Sequence, residues 1–179
     1  MNTEVTTCCD HCGERHTINT YSVINVSSDR ELKSQVLNGS LFLWECPHCG
    51  KKNLISNPLV YIDENEQLIV ILSKEDIAFE SPMNGKYAGF STRQVHSAGA
   101  LIELEKILDA GLDDEVIDLC KQVTRMEMSQ DSLDLKFFKT EGADNEIIFT
   151  YPKNGQMEMI AIGFNVYEDC KAILDAHRH

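Results

Sequence analysis

The sequence predicts an α+β fold in two parts, and three observations predict it. Four cysteines stand in two Cys-x-x-Cys-Gly turns within the first fifty residues, among short runs rich in β-branched side chains. The second half instead spaces apolar residues as two helices would, then as three strands divided by polar turns that contain glycine. Between them residues 74–92 lose periodicity and gather Pro82, Gly85 and Gly89. These features set the parts at 1–78 and 86–179.

The elements follow in order. Thr17–Val26, TINTYSVINV, reads as a strand. Ser27 or Ser28 opens a helix whose apolar positions are Leu32, Val36 and Leu37, and Asn38-Gly39 stops it. SLFLWE (40–45) is a short strand leading into the second cysteine turn. NLISNPLVYI and QLIVILS form a hairpin across the polar DENE at 63–66, and Tyr87–Val95 could add an edge strand. Leu101, Leu104, Ile107 and Leu108 mark a helix that ends at Gly111. A second starts after Asp113-Asp114, with Val116, Ile117, Leu119, Cys120 and Val123 on one face. LDLKFFKT, EIIFTY and EMIAIGF read as strands of an antiparallel sheet. A last helix begins at Asn165, where Glu168 offers a capping-box partner.

Composition excludes several classes. The formal charge is −13, and the deficit of basic residues is shared by both halves, so neither has the positive field that binds phosphate backbones. The first residues, MNTEVTTCCD, lack the basic and apolar segments of a secretory signal, and no apolar run is long enough to span a bilayer. Seven cysteines, an odd number, suit a reducing interior better than a disulfide framework. A cytoplasmic protein without membrane contact is expected.

The cysteines carry the legible chemistry. Cys9-Asp10-His11-Cys12-Gly13 and Cys46-Pro47-His48-Cys49-Gly50 are near copies. Each turn presents two sulfurs on one side of a tight loop, and the glycine accepts the positive φ that points backbone N–H groups at them. Two such turns facing each other supply the tetrahedral sulfur shell of one structural Zn²⁺, held by Cys9, Cys12, Cys46 and Cys49. Residues 13–45 between them exceed the spacer of common four-cysteine fingers, which predicts a zinc ribbon-like β domain with a helical insertion. A single iron would satisfy the same sulfurs. Cys8 falls out of register and competes only if the first turn slips. His11 and His48 are read as exposed turn residues. A thioredoxin-like redox pair would need a helix directly after each turn, where glycine stands instead.

The run from Cys9 to about Lys74, with both turns, the intervening SVINVSSDRELKSQVLNGSLFLWECPHCG and NPLVYID after them, resembles the CpXC family, a bacterial and archaeal group named for its cysteine motifs. RQVHSAGALIELEKILDAGLDDEVIDLCK (93–121) is also similar to sequences that accompany that domain. The resemblance implies a metal-binding domain of undetermined role, with family cysteines at Cys9, Cys12, Cys46 and Cys49. Asp10 stands where the second turn has Pro47, so the first turn's φ is less firmly preset.

No phosphate loop, nucleophile elbow or zinc-hydrolase helix motif is present, so no catalytic residue is assigned. Cys120 and Cys170 are read as buried core thiols, Asp113–Glu115 as a helix start, and His177 and His179 as a frayed end. The function expected is a structural zinc-binding scaffold with an unidentified protein partner. Two alternatives carry their own signatures: an enzyme whose site gathers Arg93, His96 and acidic residues in the second half, and a nucleic-acid ribbon using Lys51 and Lys52.

Overall fold

The computed structural model describes residues 1–78 and 85–179 of the chain. It is a mixed α+β structure that forms two compact units, Met1–Ile102 and Glu103–His179. The boundary expected between 78 and 86 includes Pro82, which lies outside the described residues.

The N-terminal unit begins with a strand that the sequence reading passed over. β1 (Asn2–Cys8) pairs antiparallel with β2 (Arg15–Tyr21), from Asn2 opposite Tyr21 to Cys8 opposite Arg15. The first cysteine turn is therefore the tip of a hairpin. The strand expected over 17–26 is two strands: the chain breaks at Ser22, and β3 (Val23–Asn25) joins another sheet. Helix α1 (Arg30–Leu37) is capped by Asp29, whose carboxylate accepts from the N–H groups of Glu31 and Leu32, and not by Ser27 or Ser28. Ser40–Phe42 form a 3₁₀ turn, which shortens the expected 40–45 strand to β4 (Leu43–Glu45). β4 pairs antiparallel with β5 (Lys52–Leu54), so the second cysteine turn is also a hairpin tip.

β6 (Leu59–Asp63) and β7 (Leu68–Leu72) make the expected hairpin, and their nearly continuous burial places them at the centre of a sheet. Its order is β3-β6-β7-β8, with β8 at Ser91–Val95, and the outer pairs β3–β6 and β7–β8 run parallel. Parallel pairing requires a long crossover. Between β3 and β6 that crossover is α1 and the β4–β5 hairpin, which carries the second cysteine turn; β2, β3, α1 and β4 fill the length between the two turns. Asp63, 1% exposed, pins the β6–β7 turn by accepting from the N–H groups of Asn65 and Glu66 and from the Ser27 hydroxyl.

Helix α2 (Ala98–Asp109) runs through the unit boundary. In the C-terminal unit, α3 (Asp114–Glu127) is capped by Asp113, which accepts from Glu115 and Val116. β9 (Lys136–Glu141), β10 (Glu146–Lys153) and β11 (Gln156–Ile162) form the expected antiparallel sheet, in the order β11-β10-β9. Phe137, Ile147, Phe149, Tyr151 and Ile162 pack with Val116, Ile117, Cys120, Tyr167 and Cys170 in one core. Helix α4 (Phe164–His177) starts one residue before the expected Asn165, after Gly163, and no side chain caps it; the Asn165–Glu168 capping box does not form. Cys120 and Cys170 are buried, as the sequence reading had them.

Candidate metal centre

Each cysteine turn inherits its shape from the hairpin beneath it. Cys8 opposite Arg15 closes the first ladder, and Glu45 opposite Lys52 closes the second. In the first tip the Cys9 N–H donates to the Glu14 carbonyl and the Gly13 N–H to the Cys9 carbonyl, both at 2.9 Å. In the second the Cys46 N–H donates to the Lys51 carbonyl at 2.9 Å and the Gly50 N–H to the Cys46 carbonyl at 2.8 Å. Gly13 and Gly50 take φ of +75° and +68°, which a side chain would strain. The near-identical sequences thus fold into near-identical turns, and the Asp10-for-Pro47 difference leaves this bonding unchanged.

The two tips face each other. The Sγ atoms of Cys9, Cys12, Cys46 and Cys49 all lie within 4.8 Å of one another. Cys9 stands 3.6 Å from Cys49, and Cys12 stands 3.7 Å from Cys46. A tetrahedral ion with metal–sulfur bonds of about 2.3 Å separates its sulfurs by about 3.8 Å, so the spacing fits a shared ion. A disulfide would need about 2.05 Å, and all seven cysteines are free. Four cysteines placed this way can bind a metal ion. Cys8 ends β1, is exposed, and is not one of the four.

Two further side chains serve the sulfurs, and the sequence reading named neither. Asn53, on β5 and 4% exposed, bridges the tips. Its Oδ1 accepts from the Asp10 N–H at 2.8 Å, while its Nδ2 donates to the Lys51 carbonyl at 3.0 Å and to the Cys9 Sγ at 3.4 Å. His16, on β2, places Nε2 3.4 Å from the Cys46 Sγ and sets its ring edge-on to Trp44. Both stand where a donor offsets thiolate charge, the usual work of groups just outside a metal's ligands. The sequence carries no signal for Asn53: in Lys52-Asn53-Leu54 it is the leucine that alternation would turn inward, yet Leu54 is exposed and Asn53 is buried.

The thiols are unequal. Burial pushes the Cys9 thiol up, but the backbone N–H groups of Cys12 and His11, the Asn53 amide and Cys49 reverse this and bring it to about 6. At Cys12 the backbone of Glu14 lowers the value; burial and the neighbouring sulfurs of Cys9, Cys46 and Cys49 outweigh it and push it up to about 12. Cys49 is also raised: the lowering from the Lys51 backbone is overcome by burial and by Cys9 and Cys46.

A protein-family model for the CpXC protein matches residues 7–121, which includes both tips and every strand of the N-terminal unit but the start of β1. The chain belongs to the CpXC family. No curated protein and no solved structure matches it. The four ligand candidates of this CpXC protein are the cysteines that the two repeated turns named.

The remaining candidates disperse. His11 and His48 are exposed in their turns. Arg93 and His96 belong to the N-terminal unit, on and just after β8, and not to the second half. His96 lies 3.5 Å from Asp76 and helps line a cavity of about 180 Å³, together with Leu54, Asn57, Leu72, Lys74 and Ser97. Among the described residues, neither Arg93 nor a carboxylate lines it. Asp113 and Glu115 pair with Arg178, as a helix start with its counter-ion. His177 sits on the last turn of α4, with Nδ1 2.7 Å from the Ile173 carbonyl. Among the described residues no helix is long and apolar enough to cross a membrane.

Proposed function

We propose that this CpXC protein is a cytoplasmic interaction module whose single zinc ion is structural. The observation that carries the reading is the set of four sulfurs, with Cys9 and Cys46 buried, Cys49 half-buried and Cys12 at the surface: four thiolates fill a tetrahedral shell by their number. A catalytic zinc keeps a position for water, which this donor set does not leave. Zinc suits four thiolates at tetrahedral spacing and needs no redox chemistry.

What the ion would hold in place is the β4–β5 hairpin. Its outer face carries the cross-strand pair Leu43 and Leu54, 40% and 65% exposed. Leu54 also borders the 180 Å³ cavity, whose other apolar walls are Ile55, Leu72 and Ala98. Exposed leucines beside a concavity match the apolar anchors of protein partners. Formal charge −13 argues for a protein and against nucleic acid.

Substitution of the ion by Co²⁺ tests the closed shell. The thiolate-to-cobalt spectrum should be that of a tetrahedral four-sulfur site and should not change when azide or imidazole is added. A spectral shift on adding either ligand means an open position and overturns the reading. The docking surface is tested by crosslinking mass spectrometry. Contacts at Leu54 should disappear in Leu54→Glu and in chelated protein, and their persistence in both would remove this face from consideration.

A further inference from the structure

We infer that β11 is a docking edge for a second copy of this chain, pairing antiparallel with its counterpart about Met159. β11 is the outer strand of its sheet and has no partner on its far side among the described residues. The β10–β11 hairpin turns at Asn154-Gly155, both at positive φ, and is closed by Lys153 opposite Gln156. In a two-residue hairpin the closing pair exchanges hydrogen bonds, and bonded and non-bonded pairs then alternate. Tyr151–Glu158, Phe149–Ile160 and Ile147–Ile162 are therefore the bonded pairs. Met157, Met159 and Ala161 direct their N–H and C=O groups toward the free edge.

The same three residues are exposed, Met157 at 63% and Met159 at 64%. A copy of β11 laid antiparallel with Met159 opposite Met159 brings Met157 opposite Ala161. All of these pairs have outward backbone groups, so each can exchange two hydrogen bonds in register. The side chains agree with the backbone. Glu158, the strand's one charge, falls opposite Ile160, and Gln156 falls opposite Ile162, so no like charges meet. Glu158 is already held over its own sheet by the Tyr151 hydroxyl at 3.0 Å and by Lys153 at 3.6 Å.

The opposite edge of the sheet shows the contrast. β9 carries Lys136 and Lys139 and a register shift against β10, the features that keep an edge from pairing. β11 carries no lysine, proline or register shift. Its outward row is apolar and its register matches itself, so the occupant it fits is its own copy. One strand pair buries less than a standard interface, so the dimer is weak, with Kd on the order of 10–1,000 µM.

The test uses the full-length, metal-loaded chain. Sedimentation equilibrium from about 10 µM to about 1 mM should show a monomer–dimer equilibrium. Ala161→Pro removes an outward N–H without touching the ladder to β10, and Met159→Lys sets two ammonium groups face to face on the axis. Each should raise Kd at least about tenfold, while Met126→Lys, at an exposed methionine of α3, leaves it unchanged. Amide exchange supplies a reading without any variant. Exchange at Met157, Met159 and Ala161 should slow as concentration rises, and exchange at Glu158 and Ile160 should not. A monomer throughout the range overturns the inference, as does a dimer that both variants leave intact or one whose exchange pattern ignores the alternation.

Discussion

Asn53 is the group whose removal most directly tests how the centre is held. Asn53→Ala takes away three hydrogen bonds at once: the acceptor of the Asp10 N–H and the donors to the Lys51 carbonyl and the Cys9 sulfur. The site is 4% exposed, so water does not simply replace the amide. Leaving one buried partner unpaired costs about 1–3 kcal/mol, and a bond to a charged group is worth about 1.5–3 kcal/mol. Part of the loss relaxes, which makes about 2–4 kcal/mol a fair expectation for the metal-bound N-terminal unit. Metal affinity should fall about 10–100-fold, the usual effect of losing a group that orients a ligand. Asn53→Asp separates the roles. It keeps an acceptor for Asp10 but replaces two donors by a carboxylate beside Cys9, so it should bind metal more weakly than Asn53→Ala. Competition for zinc against a chromophoric chelator reads affinity, and urea unfolding reads stability. If both variants bind zinc within about twofold of the parent, Asn53 does not support the sulfurs and the account of the bridge is wrong.

Other outcomes follow from the same structure. Ellman's reagent should find one fast thiol in the metal-loaded chain, Cys8; a chelator should release the four clustered thiols, and denaturant Cys120 and Cys170. Burial and the adjacent Cys170 push the Cys120 thiol up to about 12. Because its value in the fold lies above its ordinary 9.0, the contribution to stability is whole below pH 9 and is lost as pH rises toward 12. Alkaline melting of the C-terminal unit should therefore fall less steeply in Cys120→Ala. Within that unit Glu103 accepts from Lys121 at 2.5 Å and from the Phe137 N–H at 2.6 Å, with the paired side chains 11% and 9% exposed. Glu103→Ala leaves the buried Lys121 ammonium to the exposed Asp118 carboxylate at 3.6 Å and the Phe137 N–H without its acceptor, so it should cost about 2–4 kcal/mol by urea denaturation, whereas breaking the exposed Lys171–Asp175 pair should cost under about 1 kcal/mol.

What could be read from the chain divides by range. The cysteine turns were legible because their chemistry is complete within five residues: two sulfurs, a tight loop and a glycine at positive φ. The C-terminal helices and strands were legible because a face buried on one core writes its period into the sequence, as Val116, Ile117 and Cys120 do. β1 was not, since NTEVTT offers Val5 alone as a strongly apolar residue and its pairing with β2 shows only once the turn is known to be a hairpin tip. The break at Ser22 hid inside a continuous β-branched run, because strand propensity does not say which sheet a strand joins. Asn53 and His16 gain their roles by reaching across the tips, and the Glu103–Lys121 pair by joining two helices. No local pattern records such meetings.

The placement of the cysteine turns also turns part of the backbone into a ring. A metal shared by Cys12 and Cys46 fastens together the ends of residues 13–45, a span that contains β2, β3 and α1. The ion finds the four sulfurs together only in the folded chain, so its binding energy adds to folding and the tie it makes is reversible. A protease that nicks the ring once would therefore release no fragment while the ion remains. Because β3 still pairs with β6 across such a nick, the test is gel filtration in moderate urea after cleavage near α1, which should give one species with metal and two pieces after chelation. The centre would then govern how the protein is dismantled as well as how it is built.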